Sequence, residues 1–314
     1  MGEPILKWLV VGVGDIAVKR VIPAILVEPR SRLVGVVTRD PKRAEVYGVA
    51  AFPDINAALK DSDAQAVYIA TPVFLHAEQS VLALLAGRHV LCEKPMAMNY
   101  GHAMAMNAAA RQADRVLGIA YYRRMYGKVE RARQLIAAGA IGPPVLAEAT
   151  SHDWFYPADG RRAWLIDPKL AGGGPLFDIA SHRIDLMNYF FGTPERVCGR
   201  QSTLIQPFQV EDNATVMIDY QSGVRGLVDV RWHSKIARDE FRIRGTDGEM
   251  NLTPLNGPLL TYPGGVEEIP AHANLHYPCI SNFVEAVLDG APLRSSGVSA
   301  SVTDWVTEEV MTAS

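Results

Sequence analysis

Gly12-Val13-Gly14-Asp15-Ile16-Ala17 is a G-x-G-x-x-A loop that follows the apolar run Leu6–Val11 and opens a segment of helical spacing. Gly12 permits a tight turn, Gly14 lets the backbone approach a pyrophosphate, and Ala17 allows close helix–strand packing. The helix start at Asp15 and Ile16 then offers N–H donors and partial positive charge to phosphate oxygens. A bare G-x-G is common by chance, and a simple strand–helix turn is the plain alternative, but the strand–loop–helix context that the motif requires is present. An acidic residue after the second apolar run, Leu33–Val37, would hold the adenosine ribose hydroxyls of NAD. Thr38 and Arg39 stand there instead, with Asp40 one step later. A hydroxyl followed by a guanidinium suits a 2′-phosphate better, so the pattern favours NADP(H) over NAD(H). A solvated loop arginine is the other reading of Arg39.

Two more segments carry chemistry. The stretch from Ala66 to Met96 reads AVYIATPVFLHAEQSVLALLAGRHVLCEKPM, with Thr71-Pro72-x-x-x-His76 and Glu93-Lys94-Pro95 inside it. The stretch from Trp164 to Asp185 reads WLIDPKLAGGGPLFDIASHRID, with three glycines ahead of Asp178, His182 and Asp185. Both resemble hallmarks of the glucose–fructose oxidoreductase / inositol dehydrogenase (Gfo/Idh/MocA) family, and the likeness runs in order over nearly the whole chain. Within the family the chain looks most like the 1,5-anhydrofructose reductase and dihydrodiol dehydrogenase-like branch. The resemblance implies a hydride-transfer site drawn from both domains, centred on Lys94, Asp178 and His182. It also implies Glu93 near the nicotinamide ribose, with Thr71, Pro72 and His76 lining the cofactor cleft.

The residue types make sense of those roles. Oxidising an alcohol needs a group to take its proton as hydride leaves, and an imidazole such as His182 titrates near neutral pH. Lys94 can donate to the reacting oxygen and stabilise alkoxide character. Asp178 precedes His182 by four residues, so on a helix the two face the same way, and the carboxylate holds a substrate hydroxyl or orients the imidazole. The plainer readings are a helix-surface pair for Asp178 and His182, a solvated Lys94, and a helix-capping or exposed His76.

Around this set the signals thin out. Tyr122 and Arg123 lie where the family usually has an Asn-x-Arg-like element near the substrate, and only Arg123 carries over. Family members often show Trp-Arg ahead of the glycines. Here Trp164 is followed by Leu165, and Arg161 and Arg162 precede it. Trp154, Phe155 and Tyr156 read equally as an aromatic wall for a sugar face or as core packing. His272, His276 and Cys279 form an H-x3-H-x2-C cluster that superficially suggests zinc. No fourth Cys or His is near and the stretch runs into a helix, so no metal is expected.

The elements that must position these residues fall into two textures. Apolar runs at Leu6–Val11, Leu33–Val37, Ala66–Ala70, His89–Cys92 and Val116–Ala120 alternate with helical segments, which predicts a doubly wound parallel sheet, a Rossmann domain over 1–120. Pro23 should kink or divide the helix of 15–28. After 120 a helix at Val129–Ala138 and one over Gly174–Phe191 flank strands at Val145–Ser151, Val197–Leu204, Ala214–Tyr220, Val224–Trp232 and Glu240–Gly245, with closing helices at Pro278–Leu288 and Val302–Met311. Alternating polarity in these strands predicts an α+β domain over 121–314 built on a large, mainly antiparallel sheet.

With 314 residues, 48% hydrophobic and 21% charged, the chain is long enough for two packed domains. Its formal net charge of -3 offers no positive field to nucleic acid or an anionic membrane. No stretch approaches a membrane span, the N-terminus lacks a signal-peptide pattern, and Cys92, Cys198 and Cys279 are too scattered for a disulfide framework; a cytoplasmic protein is expected. The leading function is an NAD(P)-dependent dehydrogenase or reductase acting on a sugar, cyclitol or related diol. The alternatives are a glycosidase with retained NAD that oxidises the sugar transiently, and a non-catalytic cofactor or sugar sensor. The second-domain sheet is expected to leave an apolar face that pairs copies into a homodimer or homotetramer.

Overall fold

Apolar runs without polar alternation are the mark of strands covered on both faces, and the computed structural model, which describes residues 3–157, 160 and 162–313, uses them so. Strands β1 (Leu6–Val11), β2 (Ser31–Val37), β3 (Ala50–Phe52), β4 (Ala66–Ile69), β5 (His89–Cys92) and β6 (Leu117–Ile119) form a parallel sheet in the order β3-β2-β1-β4-β5-β6. Every residue of β4 is buried, as are four in a row of β1. The strand order reverses direction beside β1, the place where doubly wound sheets bind ligands beyond their carboxyl ends. The sheet has six strands where five were expected. The sixth, Ala50–Phe52, is a largely exposed edge strand of three residues, too short to stand out in the sequence.

Two compact units emerge, and neither is one continuous stretch. The first comprises Met1–Tyr122 with His272–Ser301, the second Arg123–Ala271 with Val302–Ser314. In the first unit the returning segment supplies helix Tyr277–Asp289, whose buried Phe283 meets Trp8 of β1 with ring centroids 5.3 Å apart. Arg30 grips Asp289 through paired bonds of 2.7 and 2.8 Å at the same helix.

The second unit is built on an eight-stranded sheet. Its strands are β7 (Pro144–Trp154), β8 (Pro194–Ser202), β9 (Asn213–Tyr220), β10 (Arg225–Arg231), β11 (His233–Gly245), β12 (Glu249–Asn251), β13 (Leu259–Tyr262) and β14 (Gly265–Glu268), in the order β14-β13-β12-β11-β7-β10-β9-β8. All neighbours are antiparallel except β7 and β10, which run parallel. The hairpin β13–β14 has no counterpart among the expected strands, because its strands are only four residues long and mostly exposed.

One face of this sheet packs on helices. Val228 and Val230 are buried there, and a Cβ on Gly226 would meet Met187 Sδ of helix Ser181–Phe191 at 2.8 Å. The alternate positions point the other way. They carry Glu148 bound to Arg244, Asp229 bound to Arg231 at 3.1 Å, and Arg242 to Glu240 at 3.3 Å. That face was expected to be apolar; it is laced with charge.

Two helices contain a π turn. Residues 15–27 stay helical, but Ala17–Val21 widens to a π turn just before Pro23. The ring lacks an N–H and crowds the preceding turn, and the widened turn lies just ahead of the proline expected to kink or divide the helix. Leu176–Ala180 is the second π turn and leads into helix Ser181–Phe191. The sequence predicts mostly one helix over Gly174–Phe191, and the π turn occupies its first part. Among the described residues no helix is long and apolar enough to cross a membrane.

Candidate active site

In the first unit the glycine loop is shaped by what lies against it. Gly12 has φ +90, a region that L side chains rarely adopt, and a Cβ there would stand 2.8 Å from the Ala70 carbonyl oxygen. Its N–H donates to the Val37 carbonyl at 3.1 Å, so the loop is wedged between the ends of β2 and β4. Gly14 is different: among the described residues nothing lies within 4 Å of its Cβ position. That is the open ground a pyrophosphate needs, with the N-terminal N–H groups of the following helix beside it. Asp15 pairs with Lys19 at 2.8 Å on the exposed side, and Ile16 continues the helix.

At the end of β2, the Thr38 hydroxyl accepts the Asp40 N–H at 3.2 Å, and Arg39 is exposed and pairs with no carboxylate among the described residues. The Asp40 carboxylate accepts the Lys42 N–H at 3.2 Å and lies 3.8 Å from the Arg43 guanidinium. Arg43, which drew no attention in the sequence, donates to the Val13 carbonyl within the glycine loop itself. A second guanidinium thus sits where the loop meets the end of β2.

The ends of β4 and β5 are tied together by His76. Its Nε2 is 2.9 Å from the Thr71 carbonyl oxygen and its Nδ1 is 2.9 Å from that of Pro95. The ring is buried, and burial pulls its pKa below the ordinary value, so it is neither exposed nor a simple cap. The Thr71 hydroxyl donates to Gln79 at 2.8 Å, and Pro72 starts a short helical turn, Val73–Leu75. Glu93 follows β5 and is buried. One carboxylate oxygen accepts from the Tyr68 hydroxyl at 2.8 Å and contacts His276 Nε2 at 3.1 Å; the other accepts the Lys94 N–H at 3.3 Å. Burial pushes this carboxyl up, but the His276 and Tyr68 bonds and the Lys94 charge outweigh it and hold it below its usual range. Lys94 itself is half-buried.

In the second unit two of the three glycines are explained by Glu211 and Phe177. A Cβ on Gly174 would fall 2.0 Å from the Glu211 carbonyl oxygen, and one on Gly173 would strike the Phe177 ring at 2.4 Å. Glycine alone lets the backbone come this close. The buried Glu211 carboxylate then accepts the Gly174 and Leu176 N–H groups at 2.8 and 3.0 Å. It satisfies donors that the start of a helix leaves unpaired. The π turn it anchors carries Asp178, which is 3.3 Å from Arg162, and the next turn carries His182, which is 4% exposed. Arg162 also lies over the Phe155 ring at 4.9 Å; Arg161 falls outside the described residues.

Arg123 and Trp164, expected near the substrate, also make contacts within the second unit. Arg123 is buried and donates to the Asn256 carboxamide at 3.0 and 3.2 Å. Trp164 packs with Phe155 and Phe208 against Trp232, so Phe155 belongs to a core cluster, whereas Trp154 and Tyr156 are exposed. The adjacent Arg124 forms a buried pair with Asp185, 2.8 Å from Nε to the carboxylate, which fixes the residue that ends the second motif. His272 stacks on Tyr277 while His276 turns to Glu93, and among the described residues no group of three or more metal-ligating side chains occurs. Sequence reasoning missed Tyr68, Arg43 and Glu211 altogether, and discarded His276 with the zinc pattern. No spacing signal marks Tyr68 or Glu211, because their partners are distant in the chain.

Known proteins share the chain's two-domain fold. The family model described as an oxidoreductase family with an NAD-binding Rossmann fold matches residues 6–121, and the GFO/IDH/MocA C-terminal domain model matches residues 129–251. A 1,5-anhydro-D-fructose reductase from Ensifer adhaerens is 30% identical over 295 residues, which cover 90% of this chain and 88% of the relative. A trans-1,2-dihydrobenzene-1,2-diol dehydrogenase from Mus musculus is 30% identical over 276 residues, covering 84% and 80%. Among solved structures, an aldose-aldose oxidoreductase from Caulobacter crescentus complexed with glycerol matches with a TM-score of 0.88 at 25% identity, covering 98% of this chain and 97% of that one.

Proposed function

The chain belongs to the GFO/IDH/MocA family of oxidoreductases, and from that premise we propose that it moves a hydride between a nicotinamide dinucleotide and a hydroxyl- or keto-bearing carbon of a sugar, cyclitol or related diol. The observation that carries the reading is the glycine loop, strained at Gly12, open at Gly14 and set beneath a helix N-terminus at the point where the strand order reverses. When bound, the nicotinamide supplies the hydride acceptor or donor. The chain's own groups handle the proton and the developing charge. His182 takes the hydroxyl proton, or returns it in reduction, and its buried setting shields that transfer from water. Lys94 donates to the reacting oxygen and stabilises its negative character. Asp178 orients a substrate hydroxyl beside that oxygen, and its neighbour Arg162 limits how the carboxylate turns. Thr71, Pro72, His76 and Glu93 serve the cofactor side, while Arg123 and Trp164 support the substrate side from within packed surroundings.

For the cofactor we favour NADP(H) over NAD(H). The end of β2 presents Thr38 and Arg39, with Arg43 on the glycine loop, and the nearby Asp40 carboxylate is engaged with the Lys42 N–H. Guanidinium groups there match a 2′-phosphate. We further place the protein in the cytoplasm, where its three free cysteines would stay reduced, and as a homodimer or homotetramer through the eight-stranded sheet. Since the outward face of that sheet is charged, association through it should weaken with salt. The test is to follow NADPH and NADH absorbance with purified protein and a panel of ketosugars, inosose and 1,5-anhydrofructose. Consumption with one compound establishes the reductase and ranks the cofactors. A folded protein that consumes neither cofactor with any of them would refute the reading in favour of a retained-cofactor glycosidase or a sensor.

A further inference from the structure

The H-x3-H-x2-C cluster has no part in the reaction as assigned, yet one of its members is among the most buried polar groups of the nucleotide-binding unit. His276 is 1% exposed and sits at the start of helix Tyr277–Asp289, in the segment that returns to this unit late in the chain. Its Nε2 lies 3.1 Å from the Glu93 carboxylate, and its buried Nδ1 has no hydrogen-bond partner among the described residues. The Tyr122 ring lies against it with centroids 4.8 Å apart. Its backbone N–H is fixed by the Asn274 carboxamide oxygen at 3.0 Å, and the amide nitrogen of Asn274 donates to the Arg20 carbonyl at 2.8 Å, in the helix that follows the glycine loop. The imidazole is therefore held from behind and aimed at a single acceptor.

A buried nitrogen without a partner is costly and calls for a reason. Here the ring is turned so that Nε2 faces Glu93. The same carboxylate oxygen also takes the Tyr68 hydroxyl at 2.8 Å, which leaves the second oxygen on the Lys94 N–H at 3.3 Å. With two donors on one oxygen, the carboxylate has no freedom to turn away from the Lys94 backbone. Without them, the long Lys94 side chain would start from a looser root at the end of β5.

We propose that His276 is a positioning residue for hydride transfer, acting with Tyr68 to pin the Glu93 carboxylate and so set the direction in which Lys94 leaves β5. The inference rests on the role given to Lys94 above. Misplacing a catalytic group by about 1 Å costs on the order of 100-fold in rate, so loss of the pin should show in kcat rather than in binding.

Two readouts test it. The first needs no substrate: the histidine ¹⁵N spectrum of the wild type should show His276 with a proton on Nε2, and an unprotonated Nε2 would overturn the proposal. The second compares His276→Gln, which keeps a side-chain N–H, with His276→Leu, which does not. The leucine variant should lose about 10- to 100-fold in kcat, with sugar KM and cofactor Kd moved by no more than about threefold, and the glutamine variant should recover most of that loss. Equal losses in both variants, or an unchanged kcat in the leucine variant, would overturn it. Should His276→Leu fail to fold, Tyr68→Phe removes the other bond to the same oxygen and should lower kcat in the same selective way. If it leaves kcat at the wild-type value, the proposal falls. A wild type that turns over nothing would sink the functional reading, while the nitrogen spectrum would still decide whether His276 holds Glu93.

Discussion

Replacing Glu211 by glutamine removes a buried charge from the root of the helix that carries Asp178 and His182, and the change should be visible as a flatter dependence of stability on pH. Burial raises this carboxyl from 4.5 to about 6, against the lowering effect of the Gly174 and Leu176 N–H bonds and with Asp212 adding repulsion. That difference corresponds to about 2 kcal/mol. Because the folded-state value lies above the unfolded one, the native state binds more protons in between. The group's contribution to stability is therefore fully present below 4.5 and is lost as pH rises through about 6. Urea unfolding of wild type and Glu211→Gln at about pH 4 and about pH 7.5 isolates the effect, since other groups cancel in the double difference. Over that interval the wild type should lose about 2 kcal/mol more than the variant. The same pH slope in both proteins would refute the argument. Glutamine also keeps only one acceptor oxygen for two N–H donors, so at neutral pH the lost bond offsets part of the relief from burying a charge.

Replacing His182 by alanine should lower kcat by about 100- to 10,000-fold while NADPH affinity, read by fluorescence titration, is unchanged; equal loss of binding would remove His182 from the chemistry. Arg39→Ala should reduce the preference for NADPH over NADH by about tenfold or more in kcat/KM, the worth of a charge-assisted bond to phosphate, and an unchanged ratio would place the preference elsewhere. Arg124→Met leaves Asp185 buried without its guanidinium, in a site where burial already raises the carboxyl against the pull of Arg124. Unfolding free energy should fall by about 3–5 kcal/mol in urea titrations. A loss below about 1 kcal/mol, the scale of exposed pairs, would mean that this pair is not desolvated.

Much of the fold was legible because its signals are local. The unbroken apolar runs at Leu6–Val11 and Ala66–Ile69, the glycine loop between strand and helix, and the glycines that end helices all act within a few residues. The Glu93-Lys94 and Asp178…His182 motifs were recognisable for the same reason, as spacings along one strand end and one helix. What steadies them was not legible. Glu211 binds donors 37 and 35 residues away in sequence, and Arg124 finds Asp185 across 61. Glu93 gains Tyr68 from a neighbouring strand 25 residues back and His276 from a segment 183 residues on. No periodicity encodes such pairs, because they come together only when separate elements pack. The outward face of the second-domain sheet shows the same limit: alternation in β7 told which of its residues share a side, but the partner of Glu148, Arg244 on β11, came from the strand order. Chain chemistry determined which residues are able to act, through spacing and local conformation. Packing decided which of them are held still, since burial and hydrogen bonding depend on neighbours that the sequence places far apart.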